Sequence, residues 1–328
     1  MVMFWVAVLA ISLLLYVLLD GFDLGVGILF GRTGNEERRH AMLSAVAPIW
    51  DGNETWLVVA GVILWGAFPV VYATLFSAFY LPLLLMLAGL ILRGVAFEYR
   101  YKTERMRWVW DASFAGGSLI AAFTQGMTVG ALVEQLPITN GQYTGGEFGW
   151  FSAFAVLCGI GLCLGYSLLG ACWLVRKCEG DVREEAYRLM PYLSVGLMAF
   201  LVVVFAYALV ENLQVMQRWI ERPFLFVFPA IGVVAALVAA ESVRRRRDNV
   251  PFYMVALIFA AAFATLAISF WPYMIPFSIT IEEAAAPHSS LAFMFWGAGL
   301  FVFPLMLIYT VVSYTVFRGK IRPTTDRY

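Results

Sequence analysis

Charge is scarce in this chain. Of its 328 residues, 22 are Lys or Arg and 22 are Asp or Glu, together 13%. A soluble domain of this size carries about twice that fraction, so with 62% hydrophobic residues a water-covered globule is excluded. Histidine is scarcer, with only His40 and His288. Four cysteines, Cys158, Cys163, Cys172 and Cys178, form no C-x-x-C pair. That spacing excludes the common zinc and redox motifs and leaves small packing residues plus one loop thiol. Low-complexity segments, a soluble domain and internal repeats are all missing. The one dense basic run, "RRRRD" at 244–248, reads as a topology anchor, so no nucleic-acid partner is expected.

Long uncharged runs fill the chain instead. A helix needs roughly 20 residues to span the hydrocarbon core. The uncharged run 55–92 would reach about 57 Å as one helix, so it must cross twice, with its reversal between Pro69 and Ser77. The fold class expected is an all-α integral membrane protein with nine transmembrane helices. They fall near 2–19, 53–71, 75–96, 110–133, 149–175, 190–214, 223–243, 251–270 and 291–317. The first lacks a basic n-region and runs into "DGFD", which marks a retained helix and not a cleaved signal. With nine spans, 20 of the 22 basic residues fall on one side, among them Arg322 and Arg327, and the other side keeps only Arg218 and Arg222. The positive-inside rule then puts the N-terminus outside and the C-terminus in the cytoplasm.

Acids stand out against this background. Asp20 and Asp23 are expected to end the first helix on the cytoplasmic side. Asp51 and Glu54, within "WDGNETW" (50–56), begin the second on that side, and Arg93 lies one turn inside the third as their charge partner. Each acidic pair has i, i+3 spacing and shares a helical face. One reading of Asp51 and Glu54 is a capping box, with Trp50 and Trp56 as interfacial aromatics. Capping does not explain Asp20 and Asp23, because the macrodipole at a helix C-terminus disfavours negative charge. Acids near bilayer depth are costly and mark ion or proton paths, so a hydrophilic inlet is the sharper reading. In "GFDLGVG" (21–27) no strand precedes the glycines and the spacing does not fit a dinucleotide fingerprint. Gly21 with Gly25, and Gly27 with Gly31, are spaced for close helix packing.

The segments "LLDGFDLGVG" (18–27), "APIWDGNETWL" (47–57), "LRGVAFEYR" (92–100) and "WPYMIPFSITIEEAAAPHSSLAFMF" (271–295), with "YTVVSYTVFRGK" (309–320), resemble those of subunit II of cytochrome bd-type quinol oxidases. They keep that family's order across essentially the whole chain. The resemblance implies two four-helix bundles plus one peripheral helix in a single membrane domain, 1–328. The bundles would cover about 1–134 and 149–270, and the final helix 291–317. It also implies a bacterial inner-membrane complex that oxidises quinol and reduces dioxygen to water. Two b hemes and one d heme would sit in the partner, subunit I, with a small single-helix third subunit and lipid as further neighbours. Asp51 matches the family aspartate that lines a path from the cytoplasm toward the hemes. Asp20 and Asp23 match positions nearby, while Glu54 stands where many relatives carry glutamine.

Heme iron needs axial ligands, most often including histidine, and neither His40 nor His288 falls in an expected span. This chain is therefore expected to ligate no cofactor or metal and to hold no catalytic residue of its own. Its work would be scaffolding and proton delivery. A secondary transporter and a purely structural membrane subunit are the rival readings. The first would place polar groups at the midplane in repeated halves, and the second would have every acid cap or pair.

Overall fold

The computed structural model describes residues 1–103, 105–139, 141–211 and 213–321; Arg322 and Arg327, counted above on the basic side, lie outside the described residues. Helices run in the order α1 (Val2–Phe30), α2 (Glu36–Val46), α3 (Trp50–Ala67), α4 (Pro69–Ala78), α5 (Tyr80–Tyr99), α6 (Arg107–Glu134) and α7 (Ala153–Lys177). They continue with α8 (Gly180–Val210), α9 (Gln214–Glu221), α10 (Val227–Arg244), α11 (Val250–Phe270), α12 (Ile281–Ala284), α13 (His288–Met294) and α14 (Val302–Val316). A 3-10 turn (Pro223–Phe226), a π-helical segment (Phe295–Gly299) and two small antiparallel hairpins, Ile138–Thr139 with Gln142–Tyr143 and Tyr273–Ile275 with Ile279–Thr280, complete the described elements. Among the described residues eight helices are long and apolar enough to cross a membrane, and a bent pair makes a ninth. The chain is an all-α membrane protein.

The bent pair is α3 and α4, which meet at 119°. Pro69 is the first residue of α4. It has no N–H to continue the ladder of α3 and its fixed φ suits a helix start, so the chain turns at Phe68. The expected reversal is thus a ten-residue helix in its own right, and α5 starts at Tyr80.

Two expectations need correction. The first helix does not end at residue 19; it continues through both acids and three glycines to Phe30. Charge alone does not break a helix when its side chains find partners across the bundle, as those of Asp20 and Asp23 do. The macrodipole argument drawn from a helix end at 19 therefore falls. The first loop also holds a helix, α2, whose Asn35 caps it by accepting from the Arg38 N–H.

Glycine lets these helices approach. A Cβ on Gly25 would stand 1.7 Å from the Tyr166 carbonyl oxygen of α7, and one on Gly27 would stand 2.0 Å from Ser118 Oγ of α6. Gly21 and Gly25 therefore face α7, while Gly27 and Gly31, the latter just past the end of α1, face α6, as the four-residue spacing predicts.

The basic loops converge at one end. Arg38 reaches Asp181 at 3.1 Å, Arg39 reaches Asp111 at 2.7 Å, and Arg183 and Lys320 meet Asp248 at 2.8 and 2.7 Å. At the opposite end Trp5 Nε1 donates to the Leu291 carbonyl and the Ala286 N–H donates to the Ala67 carbonyl.

Candidate functional site

Residue spacing on α1 puts Asp20 and Asp23 on one face, and α3 and α5 cover that face. Arg93, midway along the second half of α5, pairs with Asp20 through Nη2 and Oδ1 at 2.7 Å, both side chains fully buried. Asp23, 1% exposed, accepts from Asn53 Nδ2 at 2.7 Å. Asn53 also donates to the Leu19 carbonyl at 3.3 Å and accepts from the Tyr314 hydroxyl of α14 at 2.9 Å. Glu54 is half-buried and interacts electrostatically with Arg93, Asp20 and Asp51. Asp51 is exposed on the flank of α3, within electrostatic reach of Arg93 and Glu98. The structure thus brings Asp20, Asp23, Glu54 and Arg93 into one cluster and leaves Asp51 at its surface edge.

The capping reading does not hold. The residue capping α3 is Ile49, and no side chain makes a cap hydrogen bond there. Nor are the two tryptophans equivalent at an interface. Trp56 is fully buried and donates to Thr310 Oγ1 at 3.2 Å. Trp50 stacks on Phe97 at 4.8 Å and lies 5.9 Å from the Arg93 guanidinium.

Several buried polar atoms remain without a protein partner: Asp20 Oδ2, Asp23 Oδ1, and Nε and Nη1 of Arg93. Buried polar groups in native proteins are almost always hydrogen-bonded, so these atoms are positions where bridging water would complete the bonding. One turn outward from Asp20, Tyr16 accepts from Gln125 Nε2 at 2.7 Å, and Tyr166 donates to Gln125 Oε1 at 3.1 Å. Sequence reasoning missed Asn53, Tyr314, Tyr16, Gln125 and Tyr166. Asn53 stands inside the conspicuous "WDGNETW", and the charged residues around it are the only signal that could have flagged it.

The two histidines sit far apart in the fold. His40, in α2, is 3.2 Å from the Tyr101 hydroxyl, and His288 opens α13 at the opposite end. Among the described residues no three His, Cys, Asp or Glu side chains gather closely enough to hold a metal ion.

Fold and site together define a multi-pass helical membrane subunit built around a buried acid–guanidinium cluster. A family model described as "Cytochrome bd terminal oxidase subunit II" matches residues 1–317, and the chain belongs to that family. It is 33% identical to the "Probable cytochrome oxidase subunit 2" of Haemophilus influenzae, covering 97% of this chain and 94% of that one. It is 29% identical to the "Cytochrome bd-I ubiquinol oxidase subunit 2" of Escherichia coli K12, with coverage of 97% and 94%. A bd oxidase chain from Geobacillus thermodenitrificans shares the fold at a TM-score of 0.78 and 16% identity, over 96% of each chain. The chain is therefore subunit II of a cytochrome bd-type oxidase, an oxidoreductase complex of bacterial membranes.

Proposed function

We propose that this chain scaffolds a heme-bearing subunit I and delivers cytoplasmic protons to it while the complex oxidises quinol and reduces dioxygen to water. One observation carries the reading. Charged groups lead from exposed Asp51 through half-buried Glu54 to the sealed Asp20–Arg93 pair and Asp23. Two b hemes and one d heme of the partner would supply the electrons to dioxygen; the residues here hold and pass protons.

Asp51 meets bulk water first. Glu54, one turn along α3, takes the proton inward, where Asp20 and Asp23 exchange it through bridging water. Arg93 offsets part of the carboxylate charge, which would otherwise be prohibitive at that depth. Convergence of the described basic loops at one end supports a cytoplasmic assignment for that end, with the N-terminus outside and the C-terminus inside. Packing of α1 with α3 and α6 and of α5 with α6 supports a first four-helix bundle. Packing of α7 with α8, α8 with α10, and α11 with α7 and α10 supports a second. The run 288–316 is then peripheral. The complex would then lie in the bacterial inner membrane, with lipid and a small single-helix third subunit as further neighbours.

Asp51→Asn tests the reading, because it is near isosteric and cannot ionise. In the intact complex, steady-state oxygen consumption should fall about a hundredfold or more, the size of one general acid–base contribution at its low end, with the reduced-minus-oxidised heme spectrum unchanged. Parental turnover would leave Asp51 out of the path and favour a purely structural subunit.

A further inference from the structure

Both N–H groups and the oxygen of the Asn53 amide have partners. Its two N–H groups go to Asp23 Oδ2 at 2.7 Å and the Leu19 carbonyl at 3.3 Å, both pure acceptors when the carboxyl is ionised. Its oxygen takes the Tyr314 hydroxyl at 2.9 Å. Turning the amide over would set its oxygen against a carboxylate and a carbonyl while leaving both N–H groups facing a hydroxyl. The side chain is 1% exposed, so bulk water does not reach it to repair such a flip. Tyr314 therefore locks the orientation of Asn53, and Asn53 commits one oxygen of Asp23.

We infer that Asn53 and Tyr314 are positioning residues that reserve Asp23 Oδ2 as an acceptor and make Oδ1 the oxygen that exchanges the proton. The inference rests on the proton-delivery reading and goes beyond it by naming the atom that carries the proton and the residues that select it. Oδ2 already receives an N–H, so a proton placed there would weaken that accepted bond. Oδ1 makes no hydrogen bond to protein atoms and is free on that account. In the step, an O–H bond forms at Oδ1 as a proton arrives and breaks as it leaves; no electrons move. The charged groups that act on Asp23 are Asp20 on α1, Glu54 on α3 and Arg93 on α5. Tyr314 on α14 interacts in turn with Arg176 of α7.

Placement of Tyr314 makes the arrangement unusual. No residue of helix α14 is fully buried, yet this ring lies 6.5 Å from Phe22 and 6.0 Å from Trp173. Ring packing and hydroxyl donation can therefore be separated by one substitution.

Tyr314→Phe in the intact oxidase keeps the ring and deletes the donor. Expected are full heme content, oxygen consumption lowered about three- to tenfold, and a pH profile of turnover displaced from the parent's. Asn53→Ala should displace the profile likewise, which keeps the test open if one variant fails to assemble. Thr310→Val removes the other side-chain bond from α14 to α3, that from Trp56, without touching Asp23. It should keep the parental rate and profile. Parental rate and profile in Tyr314→Phe, with Asp23→Asn slow, overturns the positioning role alone. Thr310→Val reproducing both changes also overturns it, because docking of α14 would then be the cause. Asp23→Asn at the parental rate overturns the delivery reading itself.

Discussion

Gly25 shows what one missing methyl group permits. With the Tyr166 carbonyl oxygen 1.7 Å from where its Cβ would be, and the Gly170 N–H at 3.1 Å, any larger residue must push α1 from α7. Overpacking a rigid interior costs about 1–3 kcal/mol, and backbone cannot rotate aside as a side chain would. Gly25→Ala should lower the thermal unfolding midpoint of the purified complex and its heme retention. Gly61→Ala, with nothing within 4 Å of the new Cβ, should leave both unchanged or slightly improved. Equal midpoints for the two variants would show that the α1–α7 contact is not tight. At this scale the acids were legible because carboxylates in apolar runs are costly and must have a reason. Asn53 and Tyr314 were not, since a neutral amide and a phenol are ordinary in such runs and they lie 261 residues apart.

Among the elements, the helix ends at the basic face are tied by ions, and the loop carboxylate Asp248 is their hub. It receives Arg183 from α8 at 2.8 Å, the Tyr187 hydroxyl at 2.8 Å, and Lys320 beyond α14 at 2.7 Å. Burial alone would push its carboxyl up, but hydrogen bonds from Arg183, Lys320 and Tyr187 outweigh that and hold it well below the usual carboxylate range. A folded value below the unfolded one of about 4 means the contribution is fully present above about pH 4. It is lost as pH falls through the folded value. Asp248→Asn should therefore lower the unfolding midpoint at neutral pH and flatten its acid dependence below about pH 4. A midpoint unchanged at neutral pH would show that the hub is decorative. Helix α2 belongs to the same face and was hidden from sequence reading, because its charges made it look like a loop. Its Glu36 carboxylate takes the Arg100 guanidinium at 2.8 Å, a partner that only the folded chain supplies. Helix α1 was cut short for the related reason that its acids looked like an end.

For the molecule as a whole, hydropathy and the placement of Arg and Lys were the most readable features. Length and charge act residue by residue against the bilayer, so span number and the gathering of basic loops follow without tertiary information. Which helices touch depends on glycine approaches and hydrogen bonds between distant segments, and that could not be read. Reporter fusions give a direct check on sidedness: a tag after Ile321 should be protected from external protease in sealed cells, and one before Met1 should be cleaved. The central claim is that protons enter at the α3 flank of this chain. Its most direct test is proton uptake from the cytoplasmic-side medium during a single turnover of the purified oxidase, followed with a pH dye beside the heme signal. The account predicts that Asp51→Asn combined with Glu54→Gln delays proton uptake about a hundredfold or more while electron entry to the hemes keeps its parental rate. Uptake at the parental rate in that double variant would contradict it.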